Sequence, residues 1–169
     1  MLITDRAEYL AVWHRVDMEL GFRPDCRHRS HSFDCYVPFR MNKPYVVYDI
    51  SHMENVHCDR MQELVHNAFV QAVKAGERMY ALDWQHSAFL FDPRNPDEMK
   101  SMKTEDGYSA YFPDFYPDGD YYFFIDEAFR FGYLGHPWRE EVWLFGDAMI
   151  QVFEEIFQKL GWKEIHRNT

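Results

Sequence analysis

Long apolar runs are missing from this chain. No window approaches about eighteen uninterrupted apolar residues, so no segment is expected to span a membrane. Cysteine is scarce: Cys26, Cys35 and Cys58 are an odd set without a C-x-x-C pair. The opening residues Met1 to Arg6 carry no charged region ahead of an apolar stretch, so no secretory signal is expected. Free thiols in a reducing cytoplasm follow as the expectation. No G-x-S-x-G, H-E-x-x-H or Walker loop is present, and no glycine-rich phosphate cradle either, so the usual short signatures of hydrolases and nucleotide binders are excluded. Internal repeats and low-complexity tracts are also lacking.

One local absence carries more weight. Between Lys103 and Arg130 there is no Lys or Arg, while seven acids stand there: Glu105, Asp106, Asp114, Asp118, Asp120, Asp126 and Glu127. Nine aromatics run from Tyr108 to Phe124 through the same stretch. Formal charge is zero over residues 1–50, −3 over 51–100 and −7 over 101–169, for a total of −10. Phosphate binding needs Lys and Arg, so nucleic acid is not an expected ligand. Carboxylates beside rigid aromatic rings suit a surface that meets a cationic protein, because the acids steer the encounter and the rings supply contact area. A blander reading has the rings of Tyr121–Phe124 alternating into the core, with only the acids solvated.

Apolar residues make up 47% and charged residues 27% of the 169, which fits one globular domain over residues 1–169. Periodicity predicts three helices. The first runs from about Asp5 to Leu20, capped near Asp5 and Glu8 and stopped by Gly21; the second covers about Val56 to Ala75; the third spans Asp147 to Leu160. Strands are predicted at Phe33–Val37, Tyr45–Ile50, Met79–Trp84, Ala88–Phe91, Tyr121–Ile125 and Glu141–Phe145, with a hairpin or sharp bend at Asp83–His86. The region from Asp92 to Asp120 reads as a long irregular connection. Consecutive strands with one-sided helices imply an α+β domain: a mostly antiparallel or mixed sheet with about three helices packed on one face.

Three stretches stand out together: Tyr80-Ala81-Leu82-Asp83-Trp84-Gln85-His86, then Tyr116-Pro117-Asp118-Gly119-Asp120-Tyr121-Tyr122-Phe123-Phe124, then Gly132-Tyr133-Leu134-Gly135-His136-Pro137-Trp138. With the apolar strand and Phe145-Gly146 that follow, they resemble a bacterial family classified as a domain of unknown function. Its members are suspected immunity proteins of polymorphic toxin systems. The resemblance covers roughly residues 78–160 and leaves the first fifty residues unplaced. It implies a cognate protein toxin as partner and supplies no catalytic residues.

Expected function follows from the acidic, aromatic segment and from that resemblance. The chain is expected to be a non-enzymatic immunity protein that binds and neutralises an antibacterial toxin, an enzyme with a basic cleft that acts on nucleic acid or nucleotide. The expected contact residues are Asp114, Tyr116, Asp118, Asp120, Asp126 and Glu127, with Trp84, His86, His136 and Trp138 as anchors. The alternative is a small hydrolase or transferase in which His86 and His136 work with neighbouring Asp residues. No metal or cofactor is expected. Cys26-x-His28-x-x-His31-x-x-x-Cys35 has zinc-type ligands but not the paired knuckles of familiar zinc sites. Asp118-Gly119-Asp120 lacks the further ligands of a calcium loop and reads as a turn.

Overall fold

The computed structural model describes residues 1–24, 38–40, 42–53 and 58–168. Helix α1 is Arg6–Arg15, and its N-cap is Asp5, whose carboxylate accepts the Glu8 N–H at 2.8 Å. A π-helical turn, Val16–Leu20, continues it to Gly21, whose φ of 56° provides the left-handed stop. Strand β1 (Tyr45–Asp49) is followed by α2 (Cys58–Ala72), and then by the hairpin of β2 (Met79–Asp83) and β3 (Ala88–Phe91). A small separate hairpin pairs β4 (Met102–Lys103) with β5 (Ser109–Ala110). The meander of β6 (Tyr122–Asp126), β7 (Gly132–His136) and β8 (Glu141–Phe145) comes next, and α3 (Asp147–Glu154) and β9 (Lys163–Asn168) complete the order.

Seven strands form one antiparallel sheet in the order β3-β2-β6-β7-β8-β1-β9. The expected α+β domain with three helices is present. Their placement differs from expectation: α2 and α3 cover one face of the sheet, whereas α1 covers the other. On the first face Met61, Val65, Phe69, Met149 and Phe153 meet Tyr48, Phe91, Phe124, Tyr133 and Leu144. On the second, Val12, Val16 and Leu20 join Ile3, Phe22 and Phe39 over Val47, Leu82, Phe123, Trp143 and Phe145.

A sheet covered on both sides has no solvated face, and its strands become continuous apolar runs rather than alternating ones. In β6, Phe123 and Ile125 point toward α1 while Phe124 points toward α2 and α3. Phe22 meets the Phe123 ring edge-on at 4.8 Å between centroids, and Phe69 lies 5.3 Å from Phe124. Each such buried ring contributes about 1.5–3 kcal/mol of transfer free energy. The frame is therefore rigid at its centre, and chemistry is left to the turns at the two ends of the strands.

Candidate functional site at one end of the sheet

The three sequence motifs meet where β2 and β7 end and β6 begins. Asp83 is the register partner of Tyr122, so both side chains leave the same face. The turn after Asp83 is tight: the His86 N–H donates to the Asp83 carbonyl at 3.0 Å, and Gln85 adopts a φ of 67°. That turn swings the imidazole back, with Nδ1 3.1 Å from the Asp83 carboxylate and 3.7 Å from that of Asp120. Asp120 also accepts the Tyr121 N–H at 2.8 Å, and Asp118 accepts the Tyr122 hydroxyl at 2.9 Å. The Pro117 turn can sit this close because residue 135 is glycine; a Cβ there would meet the Pro117 Cβ at 2.8 Å.

Aromatic rings floor the same end. Tyr121 is fully buried and is met edge-on by Trp84 at 5.7 Å, by Trp138 at 5.1 Å and by His136 at 4.7 Å. The His136 Nε2 lies 3.2 Å from the Tyr121 hydroxyl. Behind it, Glu141 accepts from Arg139 at 3.1 Å and from the Trp143 indole N–H at 3.0 Å. This buried ion pair within an apolar strand was missed, although a charged residue opening the run Glu141–Phe145 was its visible sign.

The electrostatics are one-sided. Burial pushes the Asp83 carboxyl above the ordinary carboxylate range, only partly offset by its bond to His86. Asp120 is raised as well, chiefly by burial. Tyr122 is pushed up by burial and then by the acceptor Asp118, with Asp83 and Asp120 adding to the negative field. Among the described residues no Lys or Arg side chain pairs with Asp83, Asp118 or Asp120. One ligand atom each from Asp83, His86 and Asp120 lies within 4.8 Å of the others, a spacing that could hold a cation.

Two grooves open here. One, of about 490 Å³, is lined by Tyr116, Pro117, Asp118, Gly119, Pro137, Trp138 and Glu140. The other, of about 570 Å³, runs between His86–Ala88 and the β4–β5 hairpin, where it is lined by Glu105 and Asp106. Tyr108, which closes that hairpin, is 76% exposed, and Tyr111 is exposed beyond it. Glu140 has a φ of 49°, so this end holds two of the three described non-glycine residues in left-handed backbone, Gln85 and Glu140. Each costs about 1–2 kcal/mol against an ordinary conformation.

Of the expected contact residues, Trp84, His86, Tyr116, Asp118, Asp120 and Trp138 are gathered at this end. Asp114 lies to one side, exposed, bonded to Gln62 of α2 and accepting the Tyr116 N–H at 3.1 Å. Three residues leave the set. Asp126 is 1% exposed and bound by Arg130 at 2.7 Å, so it cannot present charge to a partner. His136 is 0% exposed because it is part of the floor under Tyr121. Glu127 is exposed but belongs to the opposite end of β6, about 15 Å away at strand rise. The Cys26, His28, His31 and Cys35 cluster and the strand expected at Phe33–Val37 lie outside the described residues.

The family described as "Protein of unknown function (DUF2716)" matches residues 3–150. The chain belongs to this family. The match begins far ahead of the stretch that carries the sequence resemblance, and it takes in α1 and β1, which the fold shows to be part of the same core. The chain is also similar to the uncharacterized protein YxiI of Bacillus subtilis (strain 168), at 28% identity over 153 residues and 85% of each chain. No solved structure matches it.

Proposed function

We propose that this chain is an immunity protein that binds a basic-cleft toxin through the acidic, aromatic end of its sheet and so neutralises it. One observation carries the reading. Asp83, Asp118 and Asp120 come from two segments well separated in sequence and converge beside Trp84, Tyr116 and Trp138, with no Lys or Arg among the described residues to pair with them. Enzymes that act on nucleic acid or nucleotides carry positive clefts. Uncompensated carboxylates on a rigid rim steer association with such a cleft, and rings already packed in place lose little entropy on contact. The likeness of the three motifs to those of suspected immunity proteins points the same way.

The hydrolase alternative is less well supported. It needs both imidazoles at one substrate atom. His86 is 62% exposed beside Asp83, whereas His136 is buried under Tyr121, and neither groove at this end is lined by both.

Charge reversal tests the proposal. Asp118→Lys with Asp120→Lys is expected to lower affinity for the cognate toxin about a thousandfold, in the range measured for close interfacial charge pairs, and to abolish protection in a co-expression assay. Asp118 is exposed, whereas Asp120 is half-buried and accepts the Tyr121 N–H, so circular dichroism and the unfolding midpoint are read alongside to show that the double variant is folded. Full protection by a folded double variant refutes the proposal.

A further inference from the structure

The smaller groove has a shape and lining that specify its occupant more closely than a general acidic rim does. It lies between the Pro117-Asp118-Gly119 turn and the Pro137-Trp138 pair, with Tyr116 and Glu140 also in its lining. Its walls are flat: two proline rings and the half-buried indole of Trp138, which is held edge-on against Tyr121 at 5.1 Å and so cannot turn away freely. Asp118 is oriented by the Tyr122 hydroxyl, and among the described residues that line the groove none is a Lys or Arg. Gly135 fixes the spacing by letting Pro117 close onto β7.

We infer that this groove is a slot for one arginine side chain of the protein partner, its guanidinium stacked on Trp138 and bonded to Asp118. The inference rests on the reading of this end of the sheet as the docking face. Guanidinium is planar and weakly hydrated, so it stacks on indole and proline surfaces and still donates in its plane to a carboxylate. An ammonium is compact and strongly hydrated, and gains little from flat walls. An anion is repelled by Asp118, and a purely apolar side chain would desolvate the Asp118 carboxylate without compensation.

The slot can be tested without the toxin. The full chain, labelled with ¹⁵N, is titrated with N-acetyl-arginine methylamide and with the citrulline and lysine counterparts, following the Trp138 indole N–H and the Gly119 amide. The arginine probe is expected to shift both signals saturably, at least about tenfold more tightly than either counterpart, the factor that one stacked and charge-paired guanidinium provides. Asp118→Asn should weaken it about tenfold, and Trp138→Leu, on the other wall and followed at the Gly119 amide, gives a second variant should the first disturb the turn. Shifts that do not saturate, or equal responses to citrulline or lysine, overturn the slot. Toxin protection separates this from the function. Saturable arginine binding in a chain whose charge-reversed double variant (Asp118→Lys with Asp120→Lys) still protects would sink this end of the sheet as the docking face and leave only an arginine site without a part in protection. Protection that depends on those acids, with no arginine response, would sink the slot alone.

Discussion

At one end of β6, Asp126 is buried and held by Arg130, which also grips Glu77 at 2.6 Å. At the other end, Asp118 and Asp120 stand near Asp83, and among the described residues their side-chain partners are the Tyr122 hydroxyl and His86. Both sets of acids come from one short acidic stretch of sequence, yet they serve opposite ends. At the Arg130 end the charges are spent inside the molecule: the guanidinium donates to both carboxylates, and its pKa is raised by them, Asp126 first. At the Asp83 end burial raises the carboxyl pKa values, and His86 offsets it only in part. A count of acids in the sequence does not distinguish the two situations; the position of a single arginine does.

That contrast can be broken from the Arg130 side first. Arg130→Ala leaves Asp126 buried without its cation and is expected to cost about 3 kcal/mol in urea unfolding, while toxin protection stays intact at native temperature. Adding Asp126→Asn should recover most of the loss. If Arg130→Ala abolishes protection in a protein that remains folded, the two ends are not functionally distinct.

A smaller effect is expected from Gly135→Ala. The new methyl meets Pro117, a ring that cannot fold aside, so the turn must retreat or the strand must shift, at about 1–2 kcal/mol. Because the displaced turn carries Asp118, affinity for the toxin should fall as well, in contrast to Arg130→Ala. A destabilised variant with unaltered affinity would show that the turn's position is irrelevant to docking.

The smallest effect is the pH dependence. Asp83 and Asp120 sit above the usual carboxylate range, so they take up protons before ordinary acids as pH falls from neutrality toward that range. Their charged form is the one the fold disfavours. Free-protein stability should therefore gain from these two groups on acidification, by less than about 1 kcal/mol, and lose that gain as pH rises through their folded values. Affinity for a cationic partner should fall over the same interval. The comparison is with the Asp83→Asn and Asp120→Asn double variant, whose unfolding midpoint is expected to lack this component; identical pH profiles would refute the assignment.

Elements whose burial sets their pattern were legible from the residues. The α1 start at Asp5, the stop at Gly21 and the apolar strands β1, β2, β3, β6 and β8 follow from capping, glycine and β-branched or aromatic runs. Two strands of the seven-stranded sheet were not legible, for opposite reasons, and the short β4–β5 hairpin fell within the stretch read as irregular. Strand β9, Lys163–Asn168, is polar because it is an edge strand with most of its side chains in solvent, so it carries no hydrophobic signal. Strand β7 contains Gly132 and Gly135, which look like breakers but are required by close approach of Phe145 and Pro117. The helix faces were misassigned because one-sided periodicity says that a helix covers a sheet and not which side. Site residues were legible as motifs, and the polar residues that meet, Asp83, His86, Asp118 and Asp120, all lie in two of them. Burial of His136 and capture of Asp126 depend on Tyr121 and Arg130 in three dimensions, and no spacing rule reveals that.

The hydroxyl of Tyr122 donates into the acidic group, and its ionisation is opposed first by burial and then by the Asp118 carboxylate that accepts its proton. A positive ligand at Asp118 weakens the field that holds that proton. Occupancy of the rim and the acidity of one half-buried phenol are thereby linked through a single carboxylate.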